Sequence, residues 1–340
     1  MATEHELEDW RKSALLLRDE ISKVIIGQDS TIELITVALF ARGHVLLEGD
    51  VGVGKTTLLR AFARAVGGEF ERVEGTIDMM PGDLVYHTYV GADGKPGIER
   101  GPLLRHGEQL TTFFFNEINR ARPQVQSLLL RAMAERTVTA FNQEFAFPHM
   151  TVFADRNRVE KEETFELASA ARDRFMFELS MPTPENEAIR RALVFENRFH
   201  DVDRLLLGVA TDVVAGSDLN RIAQAIQATI QCSASLERYV LDLWEATRFP
   251  QKFGIDIDGV VMESLVLAGA SPRGMMTLMR AARVLAWFSG RSYVHSDDVR
   301  RLVPAVLGHR VFFTPVYELR RAEIAAHLTA QILDRVATPR

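Results

Sequence analysis

One cysteine, Cys232, stands in a chain of 340 residues. No disulfide can close within it, which fits a reducing compartment, and Cys232 reads as a small apolar residue rather than a nucleophile. The nine histidines are scattered, with no H-E-x-x-H and no Cys/His cluster, so no zinc site is legible. No apolar run approaches the ~18 residues that a membrane span needs. Met1 to Lys12 is polar, without an apolar centre or a small-residue cleavage site, so the expected location is the cytoplasm. Positive charge is not in excess either: the net charge is -6, which argues against a protein devoted to nucleic acid. Repeats and low-complexity segments are missing as well. What is present is globular material, 47% hydrophobic, long enough for one large or two medium domains.

The first half alternates short apolar strands with amphipathic helices. His44 to Glu48 runs into a Gly-rich turn, after which Leu58, Leu59, Phe62, Ala65 and Val66 recur at helical spacing. Gly67-Gly68 is expected to end that helix. Phe70 to Val73, Phe113 to Phe115, Thr151 to Ala154 and Phe175 to Leu179 are further strand candidates. Such alternation predicts a mostly parallel sheet covered on both faces. Gly82 to Gly101, with five glycines and an Asp93-Gly94 turn, reads as an inserted hairpin or loop. A second hairpin is expected over Thr137 to Phe147, turning near Asn142-Gln143. Pro182 and Pro184 mark a boundary. The expected plan is an α/β domain over 1–182 and a helical domain over 183–340, with helices over Glu187 to Phe199, Ser235 to Thr247 and Gly274 to Phe288 and an N-cap at Ser296. Glu160-Lys161-Glu162-Glu163 reads as a solvated charge run.

Gly49-Asp50-Val51-Gly52-Val53-Gly54-Lys55-Thr56 matches G-x-x-x-x-G-K-[ST] in full, between a strand and a helix. Glycines let backbone N–H groups turn inward around a phosphate, and the helix N-terminus adds partial positive charge. Lys55 is expected on the β- and γ-phosphates of ATP and Thr56 on Mg2+, with Thr57 beside them. Such a site needs carboxylates at a neighbouring strand end. Phe113-Phe114-Phe115-Asn116-Glu117 is that element, with Glu117 the candidate base for the attacking water. Asn116 stands where Asp is expected. An amide reaches a Mg-bound water but carries no charge, so weaker metal binding and slower turnover follow. Asp155, at the end of the next strand, is one possible source of the missing charge.

These motifs resemble those of the MoxR-type AAA+ ATPases, and the likeness runs from about Val24 to Phe313. Val24-Ile25-Ile26-Gly27-Gln28 resembles the segment packed near adenine, which implicates Gly27 and Gln28 in nucleotide binding. Asn116-Glu117-Ile118-Asn119-Arg120-Ala121 resembles D-E-I-N-R-A. Gln126 to Arg136 is similar to Q-S-x-L-L-E-A-M-x-E-R. Asn157 falls at the polar sensor of an A-T-Q-N-P pattern whose flanks differ here, reading Ala154-Asp155-Arg156-Asn157-Arg158. Asp173-Arg174-Phe175 matches D-R-F, which implies that Arg174 is an arginine finger acting on a neighbouring subunit's nucleotide. Gly269-Ala270-Ser271-Pro272-Arg273 resembles G-A-S-P-R, which implies that Arg273 is a second sensor, on its own or a neighbour's nucleotide. Arg120 suits either an interface or a helix surface.

The resemblance implies a five-stranded P-loop AAA+ module with helices on both faces, followed by an all-α lid. It further implies a homo-oligomeric, hexameric ring, with the Gly82–Gly101 segment as an insertion in the second helix. Its members act as chaperones with von Willebrand factor A domain partners and a client enzyme, helping to mature it or to insert a metal or cofactor. The expected function is therefore an ATP-driven remodeller. A nucleotide-gated scaffold with weak hydrolysis is the alternative that Asn116 favours, and a Rubisco-activase-like remodeller is a nearby one. An AAA+ nucleic-acid motor is disfavoured by the acidic balance.

Overall fold

A computed structural model describes residues 3–91, 93–157 and 165–339. Arg158 and the charge run from Glu160 to Glu163 lie outside the described residues. Five strands form one parallel sheet: β1 (Val45–Gly49), β2 (Glu69–Glu74), β3 (Leu110–Asn116), β4 (Thr151–Asn157) and β5 (Phe177–Met181), in the order β5-β1-β4-β3-β2. The order steps outward from β1 on both sides, so the ends of β1, β3 and β4 share the middle of one edge.

Period-two alternation explains how one sheet serves two cores. Phe114 and Phe153 point with Val45 and Leu47 into one cluster. Phe113, Phe115, Val152 and Leu46 point into the other. All eight of these β1, β3 and β4 side chains are fully buried, at roughly 1.5–3 kcal/mol of transfer free energy for each large one. The first face is covered by α1 (Glu4–Ser22), α2 (Asp29–Phe40) and α3 (Lys55–Ala65), the second by α4 (Pro123–Glu135). Thr3 opens α1 through a capping box with Glu6.

The helix after the Gly-rich turn ends at Ala65, two residues earlier than its glycines suggested. Val66–Gly67 leaves the helix to form a short parallel pair with Val214–Ala215. There is no room for a side chain here: a Cβ on Gly68 would lie 2.3 Å from Thr111 Cγ2. The Gly82–Gly101 segment holds an antiparallel hairpin, Tyr86–Val90 with Pro96–Arg100, and a single helical turn, Pro81–Val85. The second hairpin pairs Thr137–Ala140 with Gln143–Ala146, and its turn residues Phe141 and Asn142 both take positive φ.

Past β5 the chain is mostly helical. α5 (Pro272–Phe288) and α6 (Ser296–Leu307) pack together as the centre of that half. α6 is capped by His295, and Ser296 is already its first residue. The helix expected to reach Phe199 stops at Phe195, followed by a 3-10 turn over Asn197–Phe199. A small antiparallel pair, Val266–Ala268 with Phe312–Phe313, is added to the helices. Among the described residues, no helix is long and apolar enough to cross a membrane.

Candidate functional site

β1 delivers the chain to the Gly-rich turn, and α3 begins at Lys55. Gly52 and Gly54 take φ of 81° and 92°, a region that costs a residue with Cβ about 1 kcal/mol or more. Nothing lies within 4 Å of a Cβ built on Gly52, so backbone conformation, not space, is what calls for glycine there. Lys55 is buried, and its Nζ donates to Gly49 O at 2.9 Å, Asp50 O at 2.9 Å and Asn157 Oδ1 at 2.8 Å.

Strand register brings the sequence-distant candidates to this point. Gly49 of β1 pairs with Asn157 of β4. Asn157 donates through Nδ2 to Glu117 Oε1 at 3.0 Å, so Lys55, Asn157 and Glu117 form one connected chain. Glu117 follows β3 in the left-handed region, at φ 52° and ψ 51°. Its backbone N–H is held by Asp155 Oδ1 at 2.6 Å. Arg120, whose role the sequence left open, donates to Glu117 Oε2 at 3.1 Å.

Asn116 is buried at the end of β3. With its amide nitrogen turned toward Asp155, it donates to both carboxylate oxygens, at 3.2 and 3.3 Å. Asp155 is itself buried, and burial pushes its carboxyl up to about 6, against the pull of the Glu117 N–H and of Lys55. Among the described residues, no group of three or more His, Cys, Asp or Glu side chains could hold a metal alone. The oxygens present, on Thr56, Asp155 and Glu117, nevertheless suit a hard cation such as Mg2+ that shares its shell with water and phosphate.

A cleft of about 360 Å³ opens beside the loop, lined by Val24, Ile25, Gln28, Val53, Thr57 and Pro184 among others. It is lined mostly by apolar side chains and adjoins the phosphate cradle, which suits a nucleobase. Gln28 is fixed there by donating to Pro182 O at 2.8 Å. Gly27 is a backbone fitting rather than a lining residue: its φ is 75°, and a Cβ would meet Ile189 at 3.1 Å. Leu193, Phe199, Val202 and Leu205, which close the cleft from beyond residue 183, carry no local sequence signal for this role. Their contribution depends on a fold-back that no local pattern announces.

Arg174 and Arg273 are not at the chain's own phosphate loop. Both line a second cleft, of about 1010 Å³, together with Arg42, Arg136 and Arg280. It sits at the opposite edge of the sheet, beside the starts of β1 and β5. Arg174 donates to Ala170 O at 3.1 Å. Arg273 is paired with Asp173 at 3.2 Å, and Asp173 also accepts from Ser271 and from Arg310. This cleft is strongly cationic. Burial, then the charges of Arg136 and Arg280, bring Arg42 down to about 9.

The chain is similar to known proteins over most of its length. The family model described as "ATPase family associated with various cellular activities (AAA)" matches residues 44–177, and one for an AAA lid domain matches residues 262–328. The protein MoxR of Methylorubrum extorquens is 56% identical over 98% of this chain and 97% of its own length. MoxR of Paracoccus denitrificans is 47% identical over 98% of each chain. The chaperone MoxR1 of Mycobacterium tuberculosis is 36% identical over 94% of this chain and 81% of its own. A crystal structure from Cytophaga hutchinsonii, of a protein assigned as an ATPase, superposes with a TM-score of 0.79 at 28% identity, over 98% of this chain and 99% of that one.

Proposed function

We propose that this chain, which belongs to the MoxR family of AAA+ ATPases and is an ATP hydrolase, uses ATP to remodel a client enzyme. The observation that supports it most is the linked set Lys55–Asn157–Glu117 at the mouth of the Gly-rich loop. In this reading the loop residues Gly49 to Thr57 hold the phosphates, with Lys55 neutralising their charge. The cleft that includes Gln28 takes the base. Glu117 takes the proton of the attacking water, and Asn157 orients Glu117 by the hydrogen bond already present. Thr56 holds the metal together with the phosphates. Mg2+, when bound, supplies electrostatic stabilisation of the phosphate oxygens.

Arg174 completes the site of a neighbouring copy. The placement of Arg174 and Arg273 in one cleft, away from their own loop, supports action in trans for both. A homo-oligomeric ring follows from that reading, with a hexamer as its expected form. The client is an enzyme, with von Willebrand factor A domain proteins as partners and cofactor or metal insertion as the outcome. The exposed Tyr89, Val90 and Ile98 on the inserted hairpin suit contact with such a client.

Steady-state ATP hydrolysis beside the Lys55→Ala variant tests the core of this. Measurable turnover that Lys55→Ala abolishes is the expected result. ATP binding with almost no turnover, restored by Asn116→Asp, would instead establish a nucleotide-held scaffold. Pull-down with co-encoded von Willebrand proteins in ATP tests the client reading, which fails if none binds.

A further inference from the structure

We propose that Asp155 supplies the metal-side carboxylate of the ATP site, in place of the residue at 116. The proposal rests on the ATPase reading above and assigns one further residue within it.

Two departures from the family's pattern meet in space. Asn116 replaces the acid of D-E-I-N-R-A, and Asp155 replaces the Thr of A-T-Q-N-P. β3 and β4 pair in parallel, with Phe115 opposite Ala154, so residues 116 and 155 occupy the next rung of the ladder. Neighbouring strands are about 4.8 Å apart. The acid that such a site needs at the end of β3 therefore stands one strand over, at the same edge of the sheet and the same level. The site keeps one carboxylate and one neutral residue, with their strands exchanged.

The environment of Asp155 supports more than a structural role. The residue is 2% exposed, and its carboxylate accepts from the Glu117 backbone N–H and the Asn116 amide. Among the described residues, no Lys, Arg or His lies within ion-pair distance of it. A buried carboxylate without a counter-charge is costly. Glu178 on β5 shows how this chain otherwise treats one, with Arg172 at 2.9 Å and Arg156 at 3.0 Å. Strand alternation puts Asp155 on the same face as Phe153, the face that α3 covers from Lys55 onward, and the charges of Lys55 and Arg72 reach it without forming an ion pair. A cation beside the phosphates would provide the missing charge, and Asn116 then serves by orienting the Asp155 carboxylate through its amide.

The competing account is that Asp155 only holds Glu117 in its left-handed conformation. Binding of the non-hydrolysable imido analogue of ATP to the full chain, measured calorimetrically in Mg2+ and in EDTA, separates the two. Asp155→Asn is expected to cut the affinity gained from Mg2+ by about tenfold or more while changing the EDTA value by less than about twofold. Asn116→Asp combined with Asp155→Thr is expected to return that gain, because it moves the acid back to the other strand. Thermal melts of each variant establish that it is folded. An unchanged Mg2+ gain in Asp155→Asn, or a folded double variant that fails to recover it, would overturn the proposal. A Lys55→Ala variant that binds the analogue like the parent protein would instead remove the ATP-site reading itself.

Discussion

Replacing Asp173 by Asn should loosen the helical half from the sheet while leaving the shape of the junction almost intact. Asp173 accepts from Arg310 Nε at 3.0 Å, Ser271 Oγ at 2.8 Å and Arg273 at 3.2 Å. The Arg310 side chain is 1% exposed. Burial brings its guanidinium down to about 10, and Asp173 is the first of the groups that oppose this. Asn keeps one acceptor but removes the charge, so a buried cation is left without its partner. Breaking such a pair costs about 3–5 kcal/mol. The carbonyls of Asp173, Phe175, Met176 and Val306 still accept from Arg310, so the lower end, about 3 kcal/mol, is expected. The Arg273 contact adds little, because that side chain is 54% exposed and screened by water. The assay is amide hydrogen exchange rather than a single melting point, since two modules need not unfold together. Amides of α5 and α6 near the junction should open roughly a hundredfold more often, the equivalent of about 3 kcal/mol. A change below about threefold would show that the carbonyl cage suffices for Arg310 and refute the charge argument.

Other outcomes follow from other parts of the molecule. Arg174→Ala should bind ATP like the parent and lose turnover by about 10³-fold or more, and mixing it with Glu117→Gln subunits should restore some activity through mixed interfaces. Gly68→Ala should destabilise by about 1–3 kcal/mol, read by urea unfolding, since φ is 112° and the new Cβ would press on Thr111. His44 is buried: its Nδ1 accepts from Val152 N at 2.9 Å, and Nε2 donates to Met133 O at 3.3 Å. Burial, then the charge of Arg136, brings it down to about 3 from 6.5. The unfolded chain therefore takes up a proton below pH 6.5 that the folded chain refuses. Stability from this group is complete above pH 6.5 and is lost as pH falls toward 3, by up to about 5 kcal/mol. Urea titrations across that range should show the slope, and His44→Gln should flatten it.

Much of the sheet was legible because its strands carry apolar runs at predictable places. Phe113-Phe114-Phe115 could only be a strand buried on both faces. The Gly-rich loop was legible because every fixed position has a backbone or charge reason. Contacts across long sequence distances were not. Arg310 gives no local sign that it will plug into the turn after Ala170, and Leu193 and Leu205 give none that they close a base cleft. The short pair between Val66–Gly67 and Val214–Ala215 escaped for the same reason: two-residue strands have no periodicity. His295, not Ser296, caps α6 because Asp298 reaches back to the His295 N–H at 2.8 Å, a choice made by one side chain's rotamer. Asn116 was visible as an oddity, but only strand register turned it into half of a pair.

β1 and β5 are joined rung by rung, from Val45 opposite Phe177 to Gly49 opposite Met181. Arg174 stands just before one end of this ladder, and the phosphate loop leaves from the other. Five residues of strand span about 17 Å, and a hydrogen-bonded ladder of that length hardly stretches. In the proposed ring, a pull on Arg174 by the neighbour's nucleotide therefore acts on the near end of a stiff rod whose far end carries the subunit's own loop. In that proposed ring each subunit would work as a lever between two nucleotides.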